Sequence, residues 1–413
     1  MSRMLCRAAA LLLFAASAAC SRSSSSTAPS DGAAVETARL ASTRIAPSAT
    51  GRTIRPRPAR CLSTPDPSPA ALAVEARKAF DAGKRERALD CAEEALRLAP
   101  RLVDALSVRA DALAALDRLP EAQLAYARAL AIDPENPLTL YGAADLFVRR
   151  LSGERDALET GLEYALRGAR AAARPPFKDK ELAADLQLLA GIAQNDLGRN
   201  REALGHLDKA LAVFPEDPDV AYERGVAFFE LCRFQEAQRA FDRTLALAPD
   251  DPSALHELGL LAEQRGDLTR AEKLLQRAQT LDPKSFTPDL AVDLPTFRAQ
   301  LEKTIAALPA ADRKALDGIP VEVRDLPDPA DLLAVDPPLS PAILGLYRGP
   351  PVDEPCEPQD GPVCRSIVFY RKNLVRFAHD RAELDDQIRV TLLHEMGHLR
   401  GETDDELRDR GLE

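Results

Sequence analysis

The chain has 413 residues, 46% hydrophobic and 29% charged, with no tryptophan, which is enough length for more than one domain. Alanine and leucine far outnumber the β-branched residues, so most of the chain is expected to be helical. The formal charge of −11 sets nucleic acid aside as a partner, because a phosphate-binding surface needs a net basic patch.

At the N-terminus, Arg3 and Arg7 precede an apolar run from Ala8 to Ala19. The run is too short for a finished membrane span and has the make-up of a signal-peptide core, so residues 1–19 are expected to direct export. Ser17-Ala18-Ala19-Cys20 resembles a bacterial lipobox, with serine at the place where leucine is preferred. The resemblance implies that Cys20 becomes the lipidated first residue of a protein anchored in the bacterial cell envelope and facing the periplasm. Ser21 points to the outer membrane over the inner. The alternative is an ordinary signal-peptidase site at Ala16-Ser17-Ala18, which would give a soluble periplasmic protein. Residues 20–69 are rich in Ser, Thr, Ala, Pro and Arg without an apolar period, the composition of a disordered linker. Such a linker would hold the folded part about 35–40 Å from the anchor.

Residues 70–310 carry an internal repeat. Pro100 and Pro134 are 34 residues apart, and so are Pro215, Pro249 and Pro283. With each proline at position 32 of a 34-residue unit, position 8 is Ala76, Ala110, Gly191, Gly225 and Gly259, and position 20 is Ala88, Ala122, Ala203, Ala237 and Ala271. Small residues recur where two helices must touch, and position 24 carries Tyr126 and Phe241. This pattern resembles tetratricopeptide repeats, each a helical hairpin, stacked into an α-solenoid. The gap from Pro134 to Pro215 leaves room for an irregular sixth repeat around residues 137–183, and residues 295–308 read as a capping helix. In such repeats certain positions of the first helix line a concave groove; here they include Asp104, Asp111, Asp185, Asp196, Asp219, Glu230 and Glu263, with Tyr222 and Phe229. The resemblance therefore implies an acidic groove suited to a basic or apolar segment of a protein partner.

Seven cysteines follow the compartment. Cys6 leaves with the signal peptide and Cys20 is the lipid site. In an oxidising periplasm, Cys356 and Cys364 flank a Pro- and Gly-rich loop and are plausible disulfide partners, and Cys61 with Cys91 could fasten the linker's end to the first repeat. Cys232 reads as a buried thiol inside a repeat helix.

Near the C-terminus, His394-Glu395-Met396-Gly397-His398 places two imidazoles four residues apart on one helical face, able to reach a single Zn²⁺, with Glu395 beside them to address a water at the metal. Gly401 can stop the helix and turn the chain back, bringing Asp404 into range as a third protein ligand; Asp405 and Glu406 stay open as alternatives. The spacing resembles the metzincin arrangement with aspartate in place of the third histidine. Together with Val321 to Pro327, Leu344 to Gly349 and Ile367 to Arg371, it resembles the small bacterial zincin-like metallopeptidases. That resemblance runs from about Gly318 to Gly411, within a domain expected at residues 311–413, and implies a compact α/β domain with zinc on His394, His398 and Asp404. No methionine follows the motif, so a Met-turn is absent.

The expected protein is mainly α, a tetratricopeptide α-solenoid followed by a small α/β zincin-like domain. Its expected function is that of an exported, lipid-anchored zinc endopeptidase with Glu395 as the base, acting on a protein or peptide substrate that the repeat groove recruits. The competing reading is a non-catalytic scaffold of an envelope assembly with a structural or degenerate zincin-like domain.

Overall fold

The structure, a computed structural model, describes Cys61, residues 67–356 and residues 363–412. The signal peptide, Cys20 and nearly all of the linker lie outside the described residues. Among those described, no helix is long and apolar enough to cross a membrane.

Six helical hairpins come first: α1 (Pro69–Asp81) with α2 (Arg85–Leu98), α3 (Val103–Ala115) with α4 (Leu119–Leu130), α5 (Pro137–Arg149) with α6 (Arg155–Ala172), α7 (Lys180–Asp196) with α8 (Asn200–Val213), α9 (Pro218–Glu230) with α10 (Phe234–Leu247), and α11 (Pro252–Gln264) with α12 (Leu268–Leu281). Most of the first helices start by the same chemistry. Ser68, Asn136, Asp179, Asp217 and Asp251 accept from free N–H groups of the first turn, and Pro69, Pro137, Pro218 and Pro252 follow where no N–H is missed. In five of the six hairpins the two helices are joined through a left-handed residue. Gly83, Asp117, Gly198, Cys232 and Gly266 all have positive φ and share one place in the 34-residue register. Cys232 is therefore a half-buried thiol in the turn after α9, not a buried one inside a helix.

Hairpins close by setting a small residue against a large one. A Cβ on Gly191 would stand 2.6 Å from Leu207, one on Gly259 would stand 2.7 Å from Leu275, and one on Gly225 would strike the Phe241 ring. Positions 8 and 24 thus form the recurrent contact of the array. The irregular repeat is α5 with α6, whose 18 residues make it the longest helix of the six hairpins.

The expected cap does not cover the array. Helix α13 (Leu294–Ala307) places Phe297 and Leu301 in the core of the C-terminal unit, against Ile388, Leu392 and Met396. Its apolar stripe serves that core, so the C-terminal unit begins before residue 311, the boundary expected from the sequence. The unit continues with α14 (Ala310–Ala315), β1 (Val321–Arg324), α15 (Pro329–Leu332), β2 (Gly345–Arg348), β3 (Ser366–Tyr370), α16 (Arg371–Phe377), α17 (Arg381–Leu399) and α18 (Asp404–Asp409). The sheet order is β1-β3-β2, with β1 parallel and β2 antiparallel to the central strand. All five residues of β3 are buried, and α17 packs across α13 and the edge strand β2.

Two disulfides tie loops to this frame. Cys61 is bonded to Cys91 of α2, and Cys356 to Cys364. The second closes the loop between β2 and β3, where Val352 donates to the carbonyl of Leu399 at the end of α17 (2.8 Å).

The C-terminal unit leans on the last two hairpins. Burial there pushes the Glu230 carboxyl up to about 7, against a bond from the Ser340 hydroxyl and with the Glu257 carboxylate adding to the rise. The folded state thus binds this proton more tightly than the unfolded chain does. The stabilisation is complete below the ordinary carboxylate pKa of about 4.5 and disappears as pH rises through about 7. Glu230→Gln, which cannot ionise, should match the wild type near pH 4 and be more stable at pH 8, by about 3 kcal/mol at most. Melting temperatures at the two pH values check this; equal shifts at both would remove Glu230 as the source.

Candidate metal centre

Helix α17 carries the motif residues in its last two turns. Its start is fixed by Asp380, whose carboxylate accepts from the N–H groups of Ala382 and Glu383. Its end is fixed by Gly401, at φ +83, so the chain turns back over the helix. The expectation for Gly401 and the observed turn agree for the physical reason given: only glycine takes that conformation without strain.

His394 and His398 stack one turn apart with their Nε2 atoms 3.1 Å from each other. Each ring is held from behind. The Nδ1–H of His394 donates to the carbonyl of Leu412 (2.6 Å), and that of His398 to the carbonyl of Glu402 (3.0 Å). Carbonyls only accept, so each neutral imidazole carries its proton on Nδ1 and presents a bare Nε2. Asp404 Oδ1 lies 3.2 Å from one bare nitrogen and 3.6 Å from the other. Three electron-pair donors converge without a proton between the rings, and among the described residues this trio is the one cluster of His, Cys, Asp or Glu close enough that it could hold a metal ion.

The two alternative third ligands are engaged elsewhere. Asp405 pairs with Arg408 at 2.5 Å. Glu406 accepts from the N–H of Thr403 (2.8 Å) while its own N–H bonds back to the Thr403 hydroxyl, a capping box that starts α18. That cap is what holds Asp404 at the first position of α18, facing the histidines.

Glu395 lies on the same helix but beneath β2. Its side chain is almost wholly buried, and Oε2 accepts from the backbone N–H of Tyr347 at 2.6 Å. The close approach needs Gly345, where a Cβ would stand 2.6 Å from Thr391 and 2.8 Å from Glu395 Oε1. Burial pushes the Glu395 carboxyl up to about 8; the Tyr347 N–H opposes the rise and the Asp404 carboxylate adds to it. A cation on the histidines acts in the opposite sense and favours the ionised form.

Sequence reasoning missed the Tyr347 N–H, the Leu412 and Glu402 carbonyls, and Gly345. The first three are backbone groups and leave no mark on residue identity; the fourth was visible only as a glycine opening a strand. The side chains of Tyr347 and Tyr370, on the neighbouring strands, do not reach the site. Tyr347 donates its hydroxyl to Pro350 O at 2.5 Å, and the Tyr370 phenol is buried beside Asp331 and Arg348. His379 bonds Glu383 at the start of α17, His206 bonds Gln187, and His256 stacks on Phe286, all away from the trio.

A small α/β unit with paired helical imidazoles, one carboxylate facing them and a buried glutamate is the arrangement expected of a zincin-like domain. The comparisons agree. Residues 316–412 match the family described as zincin-like metallopeptidase, and residues 74–137, 188–234 and 230–286 match the tetratricopeptide repeat. The chain therefore carries tetratricopeptide repeats and, at its C-terminus, a zincin-like metallopeptidase domain. Similar solved structures include pilF of Pseudomonas aeruginosa (18% identity, 57% of this chain and 97% of that one, TM-score 0.44). PilW, described as a widely conserved type IV pilus biogenesis factor, is similar at 19% identity over 52% of this chain and 94% of that one (TM-score 0.45). A tetratricopeptide repeat protein of Parabacteroides merdae is 18% identical over 60% of this chain and 90% of that one (TM-score 0.41). No curated protein matches the sequence significantly.

Proposed function

We propose that the chain is an exported, lipid-anchored zinc metalloendopeptidase whose repeat array brings a protein partner or substrate to the C-terminal site. The observation that carries the reading is the donor set with its base: two bare Nε2 atoms 3.1 Å apart, Asp404 Oδ1 facing both, and Glu395 one residue along the helix from His394. Two nitrogens bound to one tetrahedral zinc lie about 3.3 Å apart, so the trio fits that ion. A purely structural site has no use for the glutamate and closes its fourth position with another side chain. Export and anchoring rest on the leader and Cys20.

Zinc, when bound, would supply a Lewis acid that polarises the scissile carbonyl and makes a water acidic at neutral pH. The protein's own groups do the rest. His394, His398 and Asp404 would hold the ion, with the carbonyls of Leu412 and Glu402 fixing the ring orientations. Glu395 takes the proton of the attacking water and passes it to the leaving amine. The Tyr347 N–H keeps one carboxylate oxygen in place, so the other is the proton carrier.

Metal binding tests the site directly. Asp404→Ala should weaken zinc binding by roughly a hundredfold or more, beyond the usual effect of losing an outer-shell partner, while Asp405→Ala leaves it within a few-fold. The purified chain should also cleave a peptide library in a manner abolished by chelation. A chain that takes up no zinc, or an Asp404→Ala variant with unchanged affinity, would overturn the reading.

A further inference from the structure

The acidic inner surface of the last two repeats is not vacant. Glu263, near the end of α11, has a side chain only 8% exposed and both oxygens paired. Lys372 Nζ lies 2.6 Å from one and Arg376 Nη2 2.9 Å from the other. These two cations stand one turn apart on α16, and Arg376 also reaches Asp289 at 3.1 Å. The next residue of α11, Gln264, donates to the carbonyl of Pro327 (2.7 Å).

The segment between α15 and β2 lies along the same repeats and reaches the hairpin before them. Asp336 pairs with Arg201 of α8, the Cys232 thiol approaches the carbonyl of Leu339 (3.5 Å), and Ser340 bonds Glu230. From the other side, Asn373 of α16 donates to the carbonyls of Pro341 (2.9 Å) and Ile343 (2.7 Å). Two residues later the segment becomes β2, where Gly345 backs onto Glu395 and the Tyr347 N–H holds its carboxylate.

We propose that the last two repeats are a cradle for this chain's own C-terminal domain, and that Glu263 is a positioning residue for the edge strand β2. It fixes α16 through Lys372 and Arg376, α16 fixes residues 341–343 through Asn373, and those residues set the entry of β2 over Glu395. Each link is a hydrogen bond or ion pair between neighbouring groups, so the coupling runs through contiguous contacts. Glu263 is spent on this cradle. The consequence for cleavage rests on the reading of Glu395 as the base, whereas the coupling to β2 does not.

Amide hydrogen exchange on the full-length chain tests it. Glu263→Gln keeps the side-chain shape, takes the carboxylate from Lys372 and leaves Arg376 with Asp289 alone. Residues 339–348 should then exchange roughly tenfold faster or more, as a locally opened segment does, while α1 to α4 exchange at the wild-type rate and zinc content is unchanged. Arg376→Gln, which leaves the pair between Glu263 and Lys372, should give a smaller increase in the same segment and keeps the test open should the first variant fail to fold. Faster exchange throughout the chain would mark a general stability role and overturn the proposal. So would unchanged exchange at 339–348 in both variants. Because the readout is not cleavage, a chain that cuts no peptide leaves this experiment decisive.

Discussion

Replacing Glu395 by Gln is expected to leave zinc bound and slow peptide cleavage by roughly 10² or more, the usual scale for loss of a general base. The amide oxygen of glutamine can still accept from the Tyr347 N–H that now meets Glu395 Oε2 at 2.6 Å, so the strand and helix keep their spacing. Both imidazoles and Asp404 are untouched, so the ligand set survives. Only the proton acceptor is lost. Glu395 is buried at this point, 5% exposed, and among the described residues no other carboxylate is placed to substitute: Asp404 faces the histidines, Glu402 pairs with Arg400 and Arg410, and Glu406 is held in its cap. Zinc content and cleavage rate, measured on the same preparations, separate the two functions of the site. Equal processing of a verified substrate by the variant and the wild type would remove the catalytic role and leave the scaffold reading in its place.

How much of this was legible in the sequence depends on whether side chains or backbone carried the information. The 34-residue arithmetic found the hairpins because the contact between positions 8 and 24 needs a small residue facing a large one, and that need is written in residue identity. The histidine spacing was legible for the same reason. The choice among Asp404, Asp405 and Glu406 was left open, although Thr403-Asp404-Asp405-Glu406 has the spacing of a capping box and could have withdrawn Glu406 from the candidates. The boundary near residue 311 failed because an apolar stripe such as Phe297 and Leu301 says only that a helix face is buried, not against which neighbour. Cys232 was misplaced although the repeat register puts it in line with Gly198 and Gly266, both left-handed. Two of the acids expected to line the groove are engaged within the protein. Asp111 is engaged by Arg77 at 2.7 Å and the Tyr126 hydroxyl at 2.5 Å, and Glu263 by α16. Long-range pairing of that kind has no periodic signature. The mixed sheet order was unreadable for the same reason.

The contact between positions 8 and 24 carries the second large expected effect. Phe241→Ala should destabilise the array by about 3–5 kcal/mol, the range for deleting a fully buried ring. Phe241 is wholly buried, its ring 5.7 Å from that of Tyr222, and it fills the space that a side chain on Gly225 would need. With glycine opposite, that side of the void has no side chain to move in, which limits how far the site can collapse. Phe241→Leu should cost much less, about 1 kcal/mol, because Leu207 and Leu275 already occupy the equivalent place against Gly191 and Gly259. In a stacked array the loss is shared only with adjoining repeats, so α9 to α12 should open first while α1 to α4 hold. Those opening repeats contain Glu230 and Glu263, hence residues 339–348 of the C-terminal unit should lose protection in the same transition. Chemical denaturation followed by hydrogen exchange would register both events. A loss under about 1 kcal/mol for Phe241→Ala would mean that the ring is not the contact that closes this hairpin.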